Sequence, residues 1–342
     1  MDLVDELAQR RDLPDEGLRE LLTSANDVLP GCLFRKARET AAEHFGREIY
    51  IRALIEWSNS CRNDCYYCGI RRSNRALERY CLNEEEILQC CKRAHEDGIR
   101  TFVLQGGENP AKAAELVGIV ARIRKTYPDS AITLSLGELP TELYAALRKA
   151  GADRYLLRHE TATPSHYAML HPKEMSLENR LECLHELRKL GFQTGMGMMV
   201  GSPFQTLNHL IADLRLIRSF RPEMVGLGPF VPQKDTPFGT YPAGSADLTL
   251  RLYAIIRLML PEAGIPATTA LSSIIPNGHI RGIESGANVI MPNYTPLSRG
   301  KQYVLYDNKS RQDFHNIKTE LNAAGYVVNP SRGDFKTKQY HV

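Results

Sequence analysis

From residue 48 onward, runs with strand character alternate with segments of helical period, and this alternation constrains the fold more than any other feature of the chain. The strand-like runs are Tyr50–Trp57, Thr101–Gln105, Ala131–Leu136, Arg154–His159, Gln193–Val200, Met224–Phe230, Ala267–Leu271 and Val289–Met291. Helical patterns separate them at Glu84–Asp97 (with Asn83 as cap), Ala111–Tyr127, Glu142–Ala150, Leu177–Leu190, Thr206–Phe220, Leu248–Leu260 and Ile280–Glu284. Strands that alternate with helices pair in parallel, since each helix returns the chain to the same end, and eight such units close into an α/β barrel. Gly98, Gly151, Gly191 and Gly264 each follow a helical stretch, where a left-handed closing residue is expected. With 342 residues, the chain exceeds the roughly 250 residues of one barrel. The surplus reads as a helical extension over 1–47, with the barrel at 48–300 and a C-terminal helix and tail at 301–342 covering it as lid or plug. Leu3, Leu7, Leu18, Leu21 and Leu22 mark two short helices around Pro14, and a third spans about Pro30–Phe45.

Directly after the first run, residues 57–72 read W-S-N-S-C-R-N-D-C-Y-Y-C-G-I-R-R, which sets Cys61, Cys65 and Cys68 on one short loop. A closed zinc site needs four ligands, usually from two pairs, and no second CxxC, CxxH or HxxxH stands elsewhere. Three thiolates suit an iron–sulfur cluster with one iron left open to a small molecule. The remaining cysteines read as packing residues: Cys32, Cys90, Cys91 and Cys183 lie in helical segments, and Cys81 is structural. Eight cysteines in a chain of this length, three of them clustered, point to ligands kept reduced rather than to a disulfide framework.

In a barrel, function collects where strands run into loops, and here those places are polar. The second run ends Q-G-G-E, with Gly106, Gly107 and Glu108; the third ends S-L-G-E, with Ser135 and Glu138; the fourth ends R-H-E-T, with Arg158 and Glu160. Residues two apart on a strand share a face. Arg158 and Glu160 inside a barrel therefore need partners, which either a zwitterionic ligand or a mutual ion pair supplies. Glycines around Met199 in G-M-G-M-M-V-G allow close approach of a ligand such as an adenosyl group. Thr268 and Thr269 in A-T-T-A offer hydroxyls and amides to an anion, and Tyr303 and Tyr306 follow the last run as candidates to close the cavity.

The CxxxCxxC spacing, with Tyr67 before the last cysteine, resembles the signature of the radical S-adenosylmethionine (SAM) enzymes. L-Q-G-G-E, R-Y-L-L-R-H-E-T, E-N-R-L, V-G-L-G-P-F-V-P, I-P-A-T-T-A and G-A-N-V-I-M-P-N-Y-T-P, in this order, resemble the HydE family of [FeFe]-hydrogenase maturases over nearly the whole chain. Biotin synthase and methylornithine synthase share the architecture and match these stretches less well. The resemblance implies a complete (βα)8 TIM-type barrel and a [4Fe-4S] cluster on Cys61, Cys65 and Cys68, with SAM chelating the open iron. It implies that the Gly106–Gly107–Glu108 motif holds the methionine amino group and Arg180 its carboxylate, with Tyr67, Ser135, Glu138, Glu160 and Met199 as further cofactor contacts. Reductive cleavage to a 5′-deoxyadenosyl radical would act on a cysteine-bound iron carbonyl cyanide, in building the diiron subcluster of the H-cluster. Arg158, Thr268 and Thr269 are the candidates to grip the substrate carboxylate, with Tyr306 covering it. Some members carry an accessory cluster near the C-terminus; the last cysteine here is Cys183, so none is expected.

Positive charge exceeds negative by only three and is scattered, which gives no basis for a nucleic-acid or membrane surface and leaves a small-molecule or organometallic partner. An electron donor such as flavodoxin or ferredoxin is required, and other hydrogenase maturases are possible partners. The acidic, amphipathic start and the lack of an 18-residue apolar run lead to a cytoplasmic expectation. Two other readings stay open: a radical SAM mutase or sulfur-inserting enzyme acting on an organic substrate, and a cluster carrier that is no enzyme.

Overall fold

The structure, a computed structural model, describes residues 2–25, 28–311 and 313–335. Its strands are β1 (Glu48–Ile51), β2 (Ala53–Ser58), β3 (Thr101–Gly106), β4 (Ala131–Ser135), β5 (Arg154–Leu156), β6 (Gln193–Met196), β7 (Met199–Val200), β8 (Met224–Val225), β9 (Gly228–Pro229), β10 (Val289–Ile290) and β11 (Val327–Asn329). Six of them form one sheet in the order β2-β3-β4-β5-β6-β8, every pairing parallel. β7 and β9 form a short pair, and β1 lies between β10 and β11. The order follows the chain because a helix on the outer face returns it between neighbours: Glu84–Glu96, Pro110–Thr126, Thr141–Lys149, Leu177–Lys189 and Leu207–Phe220. The fold is therefore α/β with a parallel sheet whose C-terminal strand ends share one side.

The expected eight-stranded regularity is not what forms. Ala267–Leu271 is no strand: Pro266 meets Val289 in a single bridge, and the chain turns at once into the helix Thr269–Ile274 with Thr268 as its N-cap. Proline has no N–H for a ladder. Past β8, among the described residues, the chain is joined by the single bridges Met224–Gly264, Pro266–Val289 and Leu54–Asn293 and by the short β10–β1 ladder. Likewise the regular ladder of β5 stops at Leu156; Arg158 lies on irregular chain beyond it, and Glu160, at φ +66°, meets Met198 in a single parallel bridge.

The N-terminal helices Leu3–Arg10, Asp15–Thr23 and Val28–Phe45 pack over the helix Ala246–Met259. That helix is consequently buried on all sides from Thr249 to Met259, so apolar residues are not confined to one stripe, and its two buried arginines are satisfied by main-chain carbonyls, Arg251 by Leu21 O and Arg257 by Gly286 O and Ala263 O. After the helix Phe314–Ala323, β11 joins β1 at the base of the sheet. Cys90 and Cys91 are fully buried in the outer helix Glu84–Glu96, in line with a packing role.

Candidate active site around the cysteine loop

The loop after β2 is shaped by contacts to the loop after β3. Gly107 N donates to Ser58 O at 3.0 Å and Arg62 N to Glu108 O at 2.7 Å. A Cβ on Gly107 would stand 2.5 Å from Ser60 O and 2.8 Å from the Cβ of Cys61, so only glycine lets the two loops meet this closely. The outcome is a cavity of about 340 Å³ lined by all three thiols. Burial raises each thiol above its ordinary range; for Cys68, where Cys61 adds to the effect, the value is pushed up to about 12. A metal centre taken up here has to displace those protons.

Tyr67, Gly106, Gly107, Glu108, Ser135, Arg158, Glu160, Arg180, Met199, Thr268, Thr269 and Tyr306 line the same cavity. Glu138 does not. It sits behind the wall, with its carboxylate 2.8 Å from Arg180 Nε although not aligned for a hydrogen bond, and it accepts from Asn179 at 2.5 Å. Burial raises the Glu138 carboxyl, and Arg180 opposes that rise. Glu108 is held at both oxygens, by Arg62 Nε at 2.9 Å and by Glu138 N at 2.7 Å. Arg158 Nη2 pairs with Glu160 at 2.8 Å, while its buried Nε has no partner. Tyr67 donates to His171 Nε2 at 3.0 Å, which requires that nitrogen to be unprotonated. Burial first, and the charge of Arg180 second, lower His171 to about 3.

Two residues that sequence reasoning passed over belong to this cavity. Glu56, on β2, is fully buried, pairs with Lys309 and accepts from Asn293 Nδ2 at 2.8 Å. Lys309 also stands 4.8 Å over the Tyr303 ring. One signal was in view: Glu56 is a carboxylate in the middle of an apolar run. Tyr303, Leu305, Tyr306 and Lys309 reach the cavity from the segment that follows β10. Gly69 N donates to Leu305 O at 2.9 Å, Asp307 N to Pro232 O at 3.0 Å and Ser310 N to Ser273 Oγ at 3.0 Å. This strap is thus fastened to the cysteine loop, to the chain after β9 and to the helix after Thr268.

The donor set fits an iron–sulfur cluster. Three thiols on one short loop line the cavity, and a cluster distributes thiolates over separate irons. The unpartnered guanidinium nitrogen of Arg158 offers a donor on the same wall. A wider cleft of about 690 Å³ lies among Arg10, Arg11, Arg218, Arg221 and Met259–Ala263, away from every thiol. The thiol-lined cavity is the one with reactive chemistry.

The pattern of the Radical SAM superfamily matches residues 55–217. The [FeFe] hydrogenase maturase subunit HydE of Thermotoga maritima is 45% identical over 305 residues, 89% of this chain and 87% of that protein. The 3-methylornithine synthase of Methanosarcina acetivorans is 27% identical over 315 residues, 90% and 87% of the two chains. In three dimensions, a methylornithine synthase (PylB) crystal structure matches with a TM-score of 0.84, covering 96% of this chain and 97% of that one at 24% identity. The [FeFe]-hydrogenase maturase HydG matches with 0.84, covering 98% and 77% at 21% identity. At these identities the structural matches bear on the fold alone.

Proposed function

Since the chain belongs to the HydE family of radical SAM hydrogenase maturases, we propose that it cleaves SAM while acting on the cysteine-bound iron carbonyl cyanide from which the H-cluster diiron subcluster is built. Membership of the family implies a [4Fe-4S] cluster and SAM. In our reading Cys61, Cys65 and Cys68 hold one cluster, and no accessory cluster is present. When bound, the cluster and SAM supply one-electron cleavage of the sulfonium bond and a 5′-deoxyadenosyl radical. The chain's own residues bind, orient and seal. Glu108 and Arg180 grip the amino and carboxylate ends of SAM; Glu160, Ser135, Tyr67 and Met199 complete that shell. Arg158 presents a planar fork to the substrate carboxylate, Thr268 and Thr269 add hydroxyls, and Tyr306 with the strap excludes water. The single bridges beyond β8 serve to close the wall into a full barrel.

The observation that carries this reading is convergence. A thiol loop, a carboxylate–arginine set and a threonine pair from four loops and one helix line one cavity. A low-potential electron donor is needed, other maturases are plausible partners, and the reaction is placed in the cytoplasm; among the described residues no helix is long and apolar enough to cross a membrane.

The test is anaerobic reconstitution with dithionite and SAM, following 5′-deoxyadenosine and hydrogenase activation with and without the cysteine-bound iron dicarbonyl cyanide. Substrate-dependent activation is expected, and its absence alongside active SAM cleavage would transfer the chain to an organic substrate. Replacing Cys61, Cys65 and Cys68 together by Ala should abolish iron binding and SAM cleavage. Replacing Cys90, Cys91 and Cys183 should leave iron content intact, at a packing cost of about 1 to 3 kcal/mol each.

A further inference from the structure

The loop that carries the thiols also builds part of the outer surface. Tyr66, between Cys65 and Cys68, meets Phe238 edge-on with ring centroids 6.0 Å apart. Phe238 in turn meets Phe204 at 6.0 Å and Tyr241 at 5.3 Å. The main chain ties the two loops, Phe238 N donating to Tyr66 O at 3.2 Å. The inner end of this ridge is buried, with Phe238 packed against Met199 and Phe230 of the cavity wall. Its outer end is open, Phe204 being 51% and Tyr241 36% exposed. An aromatic ridge therefore runs from the cavity wall to solvent beside the thiol loop.

Phe204 is held outward by construction. It has φ +65°, an unfavourable region for a bulky side chain. The turn is fixed by Gln205, which accepts from Gly201 N at 2.6 Å and donates to Met199 O at 2.8 Å. Folding gains little from an aromatic half in water on strained backbone, so its presentation needs another reason.

The thiol loop runs on into a basic stretch, whose Arg71 stands 5.9 Å over the Tyr66 ring at one end of the ridge. Residues 62–79 carry Arg62, Arg71, Arg72, Arg75 and Arg79 against Asp64 and Glu78. Arg71 is committed to Asp64 at 2.8 Å, and Arg79 to the carbonyls of Asn59, Ile70 and Asn74. Arg72 is 70% exposed and reaches only the already paired Asp64, at 3.8 Å. Arg75 is exposed and makes no ion pair among the described residues. In a chain whose net charge is only +3, this is a local positive patch.

We propose that the Phe204–Tyr241–Phe238–Tyr66 ridge, with Arg72 and Arg75, is the docking surface for an acidic one-electron carrier protein that reduces the cluster. The inference rests on the radical SAM reading given above. Carboxylates around the carrier's redox centre meet the arginines, which steer the encounter, and the aromatic end supplies the apolar anchor on which a small interface depends. Docked there, the carrier presents its redox centre to the loop that bears the thiols. One electron leaves the carrier and ends in the sulfonium bond that breaks, giving methionine and a 5′-deoxyadenosyl radical, which becomes 5′-deoxyadenosine by taking a hydrogen atom from a C–H donor in the site or buffer; the carrier departs oxidised by one electron.

The test uses cluster-loaded protein, flavodoxin as the probe, and dithionite as a small reductant that needs no docking surface. Arg72→Glu/Arg75→Glu reverses the patch, and Phe204→Gly removes the anchor while relieving the positive φ, so its folding is not at risk. Charge reversal should lower the flavodoxin-driven rate of 5′-deoxyadenosine formation by roughly tenfold or more at low salt, weaken the Kd for oxidised flavodoxin in parallel and flatten the salt dependence of both. Phe204→Gly should weaken binding with the salt dependence kept. Dithionite-driven rates should stay at the parental value in both variants. Unchanged flavodoxin binding and rate would overturn the proposal, as would an equal fall with dithionite. A parental dimer dissociated by charge reversal would also overturn it, because a second copy would then be the occupant. If dithionite releases no 5′-deoxyadenosine from the parent, the radical reading fails, while the flavodoxin Kd still judges the surface.

Discussion

Glu138 acts one step behind the cavity, and its effect on SAM should pass through Arg180. The arginine is 7% exposed, and Glu138 lies 2.8 Å from its Nε, so the carboxylate fixes where the guanidinium points. Glu138→Gln retains the shape and drops the charge. It should weaken SAM binding by about tenfold, about 1.4 kcal/mol, because the buried guanidinium loses its counter-charge, with iron content unchanged; equilibrium dialysis with SAM on the reconstituted protein measures it. His171 makes a separate prediction about pH. Its folded value of about 3 lies below the ordinary 6.5, so between these values the unfolded chain binds the extra proton. Stability from the neutral ring is complete above pH 6.5 and is lost progressively as pH falls toward 3. Urea midpoints should drop between pH 7 and pH 5, and His171→Gln, which has no such proton to gain, should flatten that drop.

At the scale of elements, the strap over Tyr303–Ser310 depends on one glycine of the cysteine loop. A Cβ on Gly69 would stand 1.9 Å from Val304 O, so Gly69→Ala has to push the strap outward or shift the loop. A stability cost of about 1 to 3 kcal/mol is expected. SAM affinity should be nearly kept, because Glu160 and Arg180 stand on other elements, while hydrogenase activation per 5′-deoxyadenosine formed should fall. Gly118→Ala, in open space on a helix, is the control. The same strap shows why part of the site was not legible in the sequence. The thiol loop, Q-G-G-E and R-H-E-T announce themselves because each is a dense polar cluster at the end of an apolar run. The Glu56–Lys309 pair joins positions 253 residues apart, and no local pattern links them. The helix Pro164–Leu170 is too short to establish a period, and the run Ala267–Leu271, read as a strand, turns after Pro266 into a helix. The longer helices were legible because their ends carry chemistry, as in the capping box of Asn83 and Glu86.

Taken as a whole, the molecule sets chain that follows β10 against both ends of its parallel sheet, and the contact at the base is organised by one buried cation. Arg154, on β5, is fully buried and donates to Arg332 O at 2.7 Å, Gly333 O at 2.9 Å and Asp334 Oδ1 at 2.9 Å. Burial lowers this guanidinium, Asp334 and Asp153 oppose the shift, and the charge of Arg332 adds to it. Arg52 stands nearby, lowered to about 9 by burial and then by Arg154. A buried cation deprived of its acceptors is costly, whereas an apolar replacement of similar length removes both the need and the attraction. Residues 332–334 are therefore held by Arg154 and in turn make its burial tolerable. Ending the chain after Pro330 and replacing Arg154 by Met should each destabilise the protein in urea, and each should open the base to limited proteolysis. Because both changes remove the same set of bonds, together they should cost less than their sum, by about 0.5 to 3 kcal/mol. Strict additivity would mean that the tail and Arg154 stabilise the barrel independently, and that the basal closure is packing rather than a charge-anchored plug.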